Sequence, residues 1–193
     1  MPVAEDHPLP LFLPFNARLL MLGSFPPPQR RWSMDFYYPN MQNDMWRIFG
    51  LVFFEDKDYF ILPSKKAFNK ERIVDFLSYK GIALGDMGMK VIRKKENASD
   101  QFLEIITALD IEKILLSLPE CKYIALTGQK AADTLLRILP VTEPKVEAYS
   151  EFGYKGKLMR LYRMPSTSRA YPKPLIEKSK AYKIMFEECG LLP

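Results

Sequence analysis

The sequence predicts an α/β protein of three layers, in which helices cover both faces of a central, mainly parallel sheet of four or five strands. Short apolar segments, typical of buried strands, alternate with amphipathic helical segments, and this alternation is typical of parallel sheets. The chain has 193 residues, of which 48% are hydrophobic, enough for one domain with a substantial core. We therefore expect an N-terminal arm over residues 1–16 and a single domain over residues 17–193.

The strands are predicted from apolar runs that are too short for helices. Three such runs cover residues 17–22, 81–86 and 122–127. Residues 145–154 and 157–163 form either a hairpin or a loop followed by the last strand.

The helices are predicted from apolar periodicity and from residues that can cap their ends. The predicted helices cover residues 44–54, 70–79, 101–109, 110–118, 129–139 and 175–189. Asn69 and Gly81 suit the two ends of the second helix, and Ser99 or Asp100 suits the start of the third. In the arm, we expect Leu11, Leu13 and Phe15 to pack on the domain.

The counts of histidine and cysteine argue against several kinds of catalytic site. The chain has one histidine, His7, in a proline-rich N-terminal segment, and two cysteines, Cys121 and Cys189. A Ser-His-Asp arrangement, a Cys-His pair and a His-ligated metal site are therefore not expected. Two cysteines are too few for four-cysteine zinc or iron–sulfur sites, and a disulfide framework is not expected. We expect no metal and no cofactor.

The charge and the apolar runs limit where the protein acts. The net charge is +5 and the isoelectric point is near 9.1, which permits nucleic-acid binding without requiring it. A basic patch of Lys90, Arg93, Lys94 and Lys95 either attracts phosphates or is a solvated surface. No apolar run approaches the ~18 residues of a membrane span, and the acidic, proline-broken start is unlike a signal peptide. We expect a cytoplasmic protein.

Polar loops follow three of the predicted strands, over residues 23–43, 85–100 and 164–171. Because crossovers between parallel strands are right-handed, these loops meet at one edge of the sheet, where ligands of open α/β sheets bind. The first loop combines Arg30 and Arg31 with aromatic and amide side chains. This combination suits a planar, anionic or nucleotide-like ligand.

In order and spacing, five segments resemble the motifs of the uracil-DNA glycosylase superfamily. GSFP (23–26) is similar to the first active-site loop of that family, and YYPNMQNDMW (37–46) is similar to its aromatic-x-His-Pro-x-Asn-x-Phe-Trp segment. GIALGD (81–86), with Arg93, Ser99 and Asp100, is similar to its second conserved block, and YIALTGQKAA (123–132) is similar to its strand-Gly-Lys-x-Ala block. MPSTSR (164–169) is similar to its DNA-insertion loop. The resemblance covers roughly residues 17–185. It is nearest to the mismatch-specific and hypoxanthine-acting branches, whose first loop can read Gly-Ser-x-Pro.

The resemblance implies a monofunctional DNA glycosylase that removes deaminated or mismatched bases, such as uracil or hypoxanthine. Such an enzyme flips the base out of the DNA and hydrolyses the N-glycosidic bond. It would act as a monomer on double- or single-stranded DNA that contains a damaged base, without a membrane. The implied catalytic residues are Asn43 and Asn40, and the implied base-binding residues are Ser24, Phe25 and Tyr38.

The resemblance also implies that Ser166, Thr167, Ser168 and Arg169 bind DNA outside the base pocket. Arg30 and Arg31 either add salt-sensitive attraction to the DNA phosphates or belong to a solvated surface. Each assignment has a plainer alternative. Asn43 is also a good N-cap for the helix that follows it, and Tyr38 could be a core aromatic. Residues 166–168 could form an ordinary turn. Asp44 is expected mainly to complement the positive end of the same helix.

One position departs from the resembled pattern. In the mismatch-specific branch the third residue of the first loop is a catalytic asparagine, and here that residue is Phe25. A phenylalanine cannot activate water, so either another residue, such as Asn43, does this work, or the activity is weak or absent. The alternative function is therefore a catalytically inactive protein of the same fold that binds DNA or a damaged base. A third interpretation, a small-molecule enzyme, predicts a closed apolar pocket.

Overall fold

The computed structural model describes residues 3–94 and 102–192. Its strands, in chain order, are β1 (Ala4–Asp6), β2 (Leu19–Gly23), β3 (Ile82–Asp86), β4 (Gly88–Arg93), β5 (Leu103–Ala108), β6 (Tyr123–Leu126), β7 (Ala148–Tyr154) and β8 (Lys157–Arg163). Five of them form the central sheet, in the spatial order β3-β2-β6-β8-β7. The first four of these run parallel, and β7 forms an antiparallel hairpin with β8. The predicted, mainly parallel sheet is confirmed.

Helices cover both faces of this sheet because both faces of its strands are apolar. In β2, Leu19 and Met21 belong to one hydrophobic cluster, whereas Leu20 and Leu22 belong to another. The first cluster includes side chains of α1 (Met45–Phe54), α2 (Lys70–Lys80) and α5 (Leu175–Glu188), and the second includes α3 (Ile111–Ser117) and α4 (Gln129–Leu135). This arrangement is the predicted three-layer α-β-α architecture.

Helix α2 begins and ends at the predicted capping residues. The Asn69 side chain accepts a hydrogen bond from the backbone N–H of Arg72 at 3.1 Å. Gly81 ends the helix in the left-handed region, at φ 69°. Across residues 3–94 and 102–192, every helix is too short or too polar to span a membrane.

The predicted helix over residues 101–109 is wrong, since residues 103–108 form strand β5. This strand belongs to a second, antiparallel sheet in the order β1-β4-β5. Ile105, Ile106 and Thr107 are β-branched and favour a strand, and β4 supplies its hydrogen-bond partners. The cap candidates Ser99 and Asp100 lie outside the described residues, as does Lys95 of the basic patch.

The N-terminal residues are anchored by backbone pairing as well as by apolar contacts. β1 pairs with β4, and the N–H of His7 donates to the carbonyl of Met89 at 2.9 Å. Leu11 and Leu13 are partly buried against the second cluster, as expected. Phe15 is 87% exposed, so its predicted packing is wrong. This path carries His7 to the carboxyl end of β3.

We predict that the substitution Gly81→Ala lowers the free energy of unfolding by at least about 1 kcal/mol. A Cβ there would lie 2.5 Å from the carbonyl oxygen of Asn16, on a backbone with φ 69°. Gly153→Ala is the matched control, because a Cβ at Gly153 meets nothing within 4 Å, and we expect a change below about 0.5 kcal/mol. Urea unfolding of both variants measures this difference, and equal effects at the two positions would contradict it.

Candidate active site

A cavity of about 700 Å³ lies at the carboxyl ends of the four parallel strands. Each strand end contributes to its lining: Gly23 closes β2, Asp86 closes β3, Thr127 follows β6, and Ser166 lies in the loop after β8. Of the predicted site residues, the cavity is lined by Ser24, Phe25, Arg31, Tyr38, Asn40, Asn43, Ser166, Thr167, Ser168 and Arg169. Among the described residues, Arg30 is the predicted site residue that lies outside this lining.

The bottom of the cavity is formed around Gly23, which has no side chain to fill it. The Oδ1 atom of Asp86 occupies the position where a Cβ on Gly23 would point, and the hydroxyl oxygen of Tyr38 lies 3.3 Å from that position. The Tyr38 hydroxyl also forms a hydrogen bond with Oγ1 of Thr127 at 2.8 Å. A carboxylate and two hydroxyl groups, from three different strand ends or loops, therefore converge at one point. Thr127 was not predicted as a site residue, although it directly follows β6, just as the predicted site loops directly follow their strands.

The first loop is held in place by hydrogen bonds from two buried or partly buried indoles. Trp32 Nε1 donates to the carbonyl of Pro27 at 2.7 Å, and Trp46 Nε1 donates to the carbonyl of Tyr37 at 3.1 Å. The second bond fixes the chain beside Tyr38, which has a φ of 50° and so lies in a region that side chains rarely adopt. A strained residue held in this way is typical of functional sites.

The two adjacent tyrosines have different environments. Tyr37 is 2% exposed and donates a hydrogen bond to the carbonyl of Pro10 at 3.2 Å. Burial raises the pKa of Tyr37 well above its ordinary value, and the negative charge of Asp86 adds to this effect. Tyr38 instead lines the cavity, with its ring edge-on to Trp46 at 6.1 Å. Tyr37 is therefore a core residue, whereas Tyr38 packs against the core and also lines the cavity.

Asn43 lines the cavity and also binds the start of α1. Its Oδ1 accepts a hydrogen bond from the N–H of Met45 at 2.9 Å, although the N-cap residue of α1 is Asp44 and not Asn43, as the plainer alternative expected. The side-chain amide retains two N–H donors and a second oxygen lone pair, so this bond does not use up its hydrogen-bonding capacity. Asn40, also in the lining, accepts a hydrogen bond from the N–H of Gln42 at 2.9 Å. The catalytic roles of both asparagines remain predictions.

Arg47 supports this segment from beneath. Its guanidinium donates to the carbonyls of Met41 and Asn43, at 3.0 and 3.4 Å, and lies over the ring of Phe68. Burial lowers the pKa of Arg47, and the positive charge of Arg169 acts in the same direction. Arg47 thus fixes the backbone that carries the two asparagines.

The loop after β8 is joined directly to this segment. Asn43 and Ser168 form an antiparallel bridge, and the N–H of Asp44 donates to the carbonyl of Thr167 at 2.8 Å. The N–H of Arg169 donates to the carbonyl of Gln42 at 3.3 Å. Two predicted motifs that are more than a hundred residues apart in sequence therefore form one continuous wall.

A buried ion cluster fastens the two loops together. The carboxylate of Asp44 binds Nε of Arg169 at 2.9 Å and Nζ of Lys178 at 3.2 Å, and it makes no capping hydrogen bond to α1. Lys178 is 1% exposed and also donates to the carbonyl of Ser168 at 2.8 Å. Asp44 therefore lies at the positive end of α1, as expected, and in addition binds two cations that were not predicted as its partners. Lys178 was missed, because nothing in the sequence distinguishes it from Lys180 or its other neighbours in α5.

The one histidine of the chain, which was not expected to belong to a catalytic site, contacts the cavity lining through Asp86. Nε2 of His7 lies 2.9 Å from Oδ2 of Asp86, and the two side chains are 2% and 7% exposed. Phe25 packs edge-on against the imidazole, with ring centroids 5.2 Å apart. Sequence reasoning missed His7 because its partner lies 79 residues away.

The basic residues fall into two groups. Arg30 and Arg31 lie on a single exposed turn of 3-10 helix, Gln29–Arg31, at the cavity mouth. Three residues of the basic patch form ion pairs instead: Lys90 with Asp6, Arg93 with Glu5, and Lys94 with Glu104. These pairs favour the surface alternative for Lys90 and Lys94, whereas the Arg93 side chain is only 11% exposed.

Comparison with known proteins shows a shared fold. No protein-family model matches the chain, and no curated protein matches it in sequence. Among solved structures, it is similar to the NMR solution structure of a protein from Methanosarcina acetivorans that is described as a proposed uracil DNA glycosylase. The likeness has a TM-score of 0.64 at 20% identity and covers 97% of this chain and 99% of that one.

We predict that Lys178→Met lowers the free energy of unfolding by about 3 kcal/mol, because it leaves the buried carboxylate of Asp44 with one cation instead of two. Lys180→Met, on the same helix, is the control. Lys180 is exposed and forms a surface ion pair with Glu177, so we expect a loss below about 1 kcal/mol. Urea unfolding compares the two, and a loss for Lys178→Met no larger than for Lys180→Met would show that the cluster is not a stabilising contact.

Proposed function

We propose that the protein is a monofunctional DNA glycosylase that removes deaminated or mismatched bases, such as uracil or hypoxanthine, acting as a monomer in the cytoplasm. The observation that carries this proposal is the cavity at the parallel strand ends, where residues 37–43 and 166–169 meet. These two segments are the ones that resemble the base-binding and DNA-insertion motifs of the uracil-DNA glycosylase superfamily. The fold shared with the Methanosarcina protein supports the same assignment.

In this proposal the flipped base enters the cavity and stacks on Tyr38. The ring lies in the lining and is held by the hydrogen bond from its hydroxyl to Thr127. Stacking of a base on an aromatic ring contributes about 1–3 kcal/mol. Backbone groups of Ser24 and Phe25, at the end of β2, bind the polar edge of the base. The cavity volume of about 700 Å³ is in the range of small-molecule sites.

Hydrolysis then requires a water molecule placed against C1′ of the sugar. The side-chain amide of Asn43 positions this water, with Asn40 beside it as a second contact to the sugar or the base. The bond between C1′ and the base nitrogen breaks through an oxocarbenium-like state, and the base leaves with the electron pair. Positioning of the water, rather than a metal, supplies the rate enhancement in this scheme.

The DNA strand on either side of the flipped nucleotide is held by the cavity mouth. Hydroxyl and N–H groups of Ser166, Thr167 and Ser168 contact the flanking phosphates, and Arg169 lies at the gap left by the base. Arg169 is 44% exposed, so it can reach DNA while its Nε remains paired with Asp44. Arg30 and Arg31, exposed on one turn, add salt-sensitive attraction to the backbone.

A second candidate function is favoured by one observation. Phe25 brings an apolar ring to the position where the mismatch-specific branch has a catalytic amide, and this ring lines the cavity. A catalytically inactive protein that binds DNA or a damaged base would tolerate this residue. The third interpretation, a closed apolar pocket for a small molecule, is not supported, because amide, hydroxyl and charged side chains line the cavity.

The proposal predicts single-turnover release of a base from labelled duplex or single-stranded oligonucleotides that each carry one uracil, hypoxanthine, xanthine or mismatched thymine. We expect Asn43→Ala to slow this step at least about 100-fold while DNA binding is retained. Asn69→Ala is the matched control, because the side chain of each asparagine accepts a hydrogen bond from an N–H in the first turn of a helix but only Asn43 lines the cavity. Both variants lose about 1 kcal/mol of stability, so only the excision rate separates them.

Three results are informative in this assay. Base release that is lost in Asn43→Ala and kept in Asn69→Ala supports both the function and the catalytic residue. Base release that survives Asn43→Ala keeps the function and moves the catalysis elsewhere. DNA binding without base release from any substrate supports the inactive alternative.

A further prediction concerns salt. Arg31→Ala should weaken DNA binding and reduce the slope of log Kd against log salt concentration by about 1, the effect of one lost phosphate contact. Arg72→Ala is the control, because Arg72 lies over the ring of Tyr59 and is not part of the cavity lining. Fluorescence anisotropy at several salt concentrations measures both slopes, and identical slopes for wild type and Arg31→Ala would remove Arg31 from the DNA interface.

A further inference from the structure

We infer that Asp86 is a second catalytic residue of this cavity and that His7 is the positioning residue that holds it. The inference rests on the proposed glycosylase function. It is carried by the geometry of the two side chains. The motif resemblance gives neither of these side chains a role in the site.

The two oxygens of Asp86 have different surroundings. Oδ2 is bound to Nε2 of His7 at 2.9 Å, on the side of the N-terminal residues. Oδ1 lies over Gly23, on the side of the Tyr38 hydroxyl, at the bottom of the cavity. One oxygen is thus held by the protein, and the other is placed among the groups that would surround a bound nucleotide.

Anchoring of the N-terminal residues does not account for this pair. They are already fixed by the pairing of β1 with β4, by the Phe12–Leu84 bridge and by the hydrogen bond from Tyr37 to Pro10. A buried carboxylate loses hydration that an imidazole only partly replaces, so an apolar contact would anchor the chain at lower cost. A carboxylate retained at a strand end that lines a cavity therefore points to chemistry.

The hydrogen bonds of His7 support the ring in either protonation state. Nε2 donates to the Asp86 carboxylate. Nδ1 has both backbone groups of Leu9 within reach, the N–H at 3.2 Å and the carbonyl oxygen at 2.8 Å. A neutral ring accepts from the N–H, and a protonated ring donates to the carbonyl. Partners at both ring nitrogens therefore fix the orientation in which His7 meets Asp86.

Two aromatic rings cover this pair. Tyr37 stacks on the imidazole with centroids 6.0 Å apart and an interplanar angle of 28°, and Phe25 meets it edge-on. The guanidinium of Arg93 lies 5.6 Å from the centre of the Phe25 ring and donates to the carbonyl of Pro26 at 3.1 Å. Phe25, the residue that departs from the resembled motif, thus covers the histidine that binds the carboxylate.

The proposed step is attack of water on C1′, with Asp86 as the acceptor of its proton. The water oxygen forms the new bond to C1′, the bond from C1′ to the base nitrogen breaks, and the departing base takes that electron pair. The proton of the water passes to Oδ1 of Asp86 and is later returned to the base or to solvent. Asn43, in the same lining, orients the water. No oxidant, reductant or further reactant is needed.

The test is single-turnover excision by Asp86→Asn, measured together with DNA affinity and thermal stability. We expect the rate to fall at least about 100-fold, the usual contribution of a general base, with DNA affinity within about threefold of wild type. Asp75→Asn, at an exposed carboxylate of α2 outside the cavity lining, is the control and should leave the rate unchanged. As a second variant, Asp86→Ala should regain part of the lost rate when formate is added, a response that a structural role would not give.

The role of His7 is tested by a pair of substitutions. His7→Gln keeps an N–H donor for Asp86, whereas His7→Leu removes it, so we expect His7→Gln to retain at least about tenfold more activity than His7→Leu at equal DNA affinity. Wild-type excision with an unchanged rate in Asp86→Asn would overturn this inference and leave the proposed function standing. Absence of excision by the wild-type protein on every substrate would overturn both.

Discussion

The shape of the cavity depends on the ion pairs that the carboxylate of Asp44 forms. This carboxylate lies at the start of α1 and is bound by Arg169 from the loop after β8 and by Lys178 from α5. Because a buried carboxylate is costly without partners, both cations are held, and with them the two segments that line the mouth. Lys178 also donates a hydrogen bond to the carbonyl of Ser168, and so holds the loop after β8 by a second contact. The wall of the cavity is therefore built before any ligand arrives, which lowers the entropy lost on binding.

Two buried carboxylates flank this cavity, and their surroundings suit them to different tasks. Asp44 is bound by two cations, so it is a strong structural link between the segments that carry them. Asp86 has a single imidazole on one oxygen, while its other oxygen lies over Gly23 beside the Tyr38 hydroxyl. If the proposed function is right, this carboxylate lies on the side of the cavity where the sugar would develop positive charge. The cations that bind Asp44 thus indicate a structural role, whereas the chemical role inferred for Asp86 rests on the position of its side chain in the cavity lining.

The sequence was informative where local pattern decides the structure, and uninformative where distant residues meet. The runs that became β2, β3 and β6 were predictable because strands covered on both faces are apolar throughout. β5 was wrongly predicted as a helix because residues that can cap a helix precede it. Its pairing with β4, which cannot be read from the local sequence, decides in favour of a strand. Lys178 and His7 could not be predicted, since their carboxylate partners lie 134 and 79 residues away.

The edge of a parallel sheet explains how a site can keep its chemistry when one loop loses a polar group. Several strand ends meet there, so a water molecule in the cavity lies within reach of more than one loop. Here the loop after β2 offers Phe25 instead of an amide, while the end of β3 offers Asp86 and the start of α1 offers Asn43. The ring of Phe25 packs on His7, the residue that binds this carboxylate, and so covers the pair of His7 and Asp86. An apolar residue at a position that is polar in the resembled motif is therefore consistent with chemistry carried by the neighbouring loops.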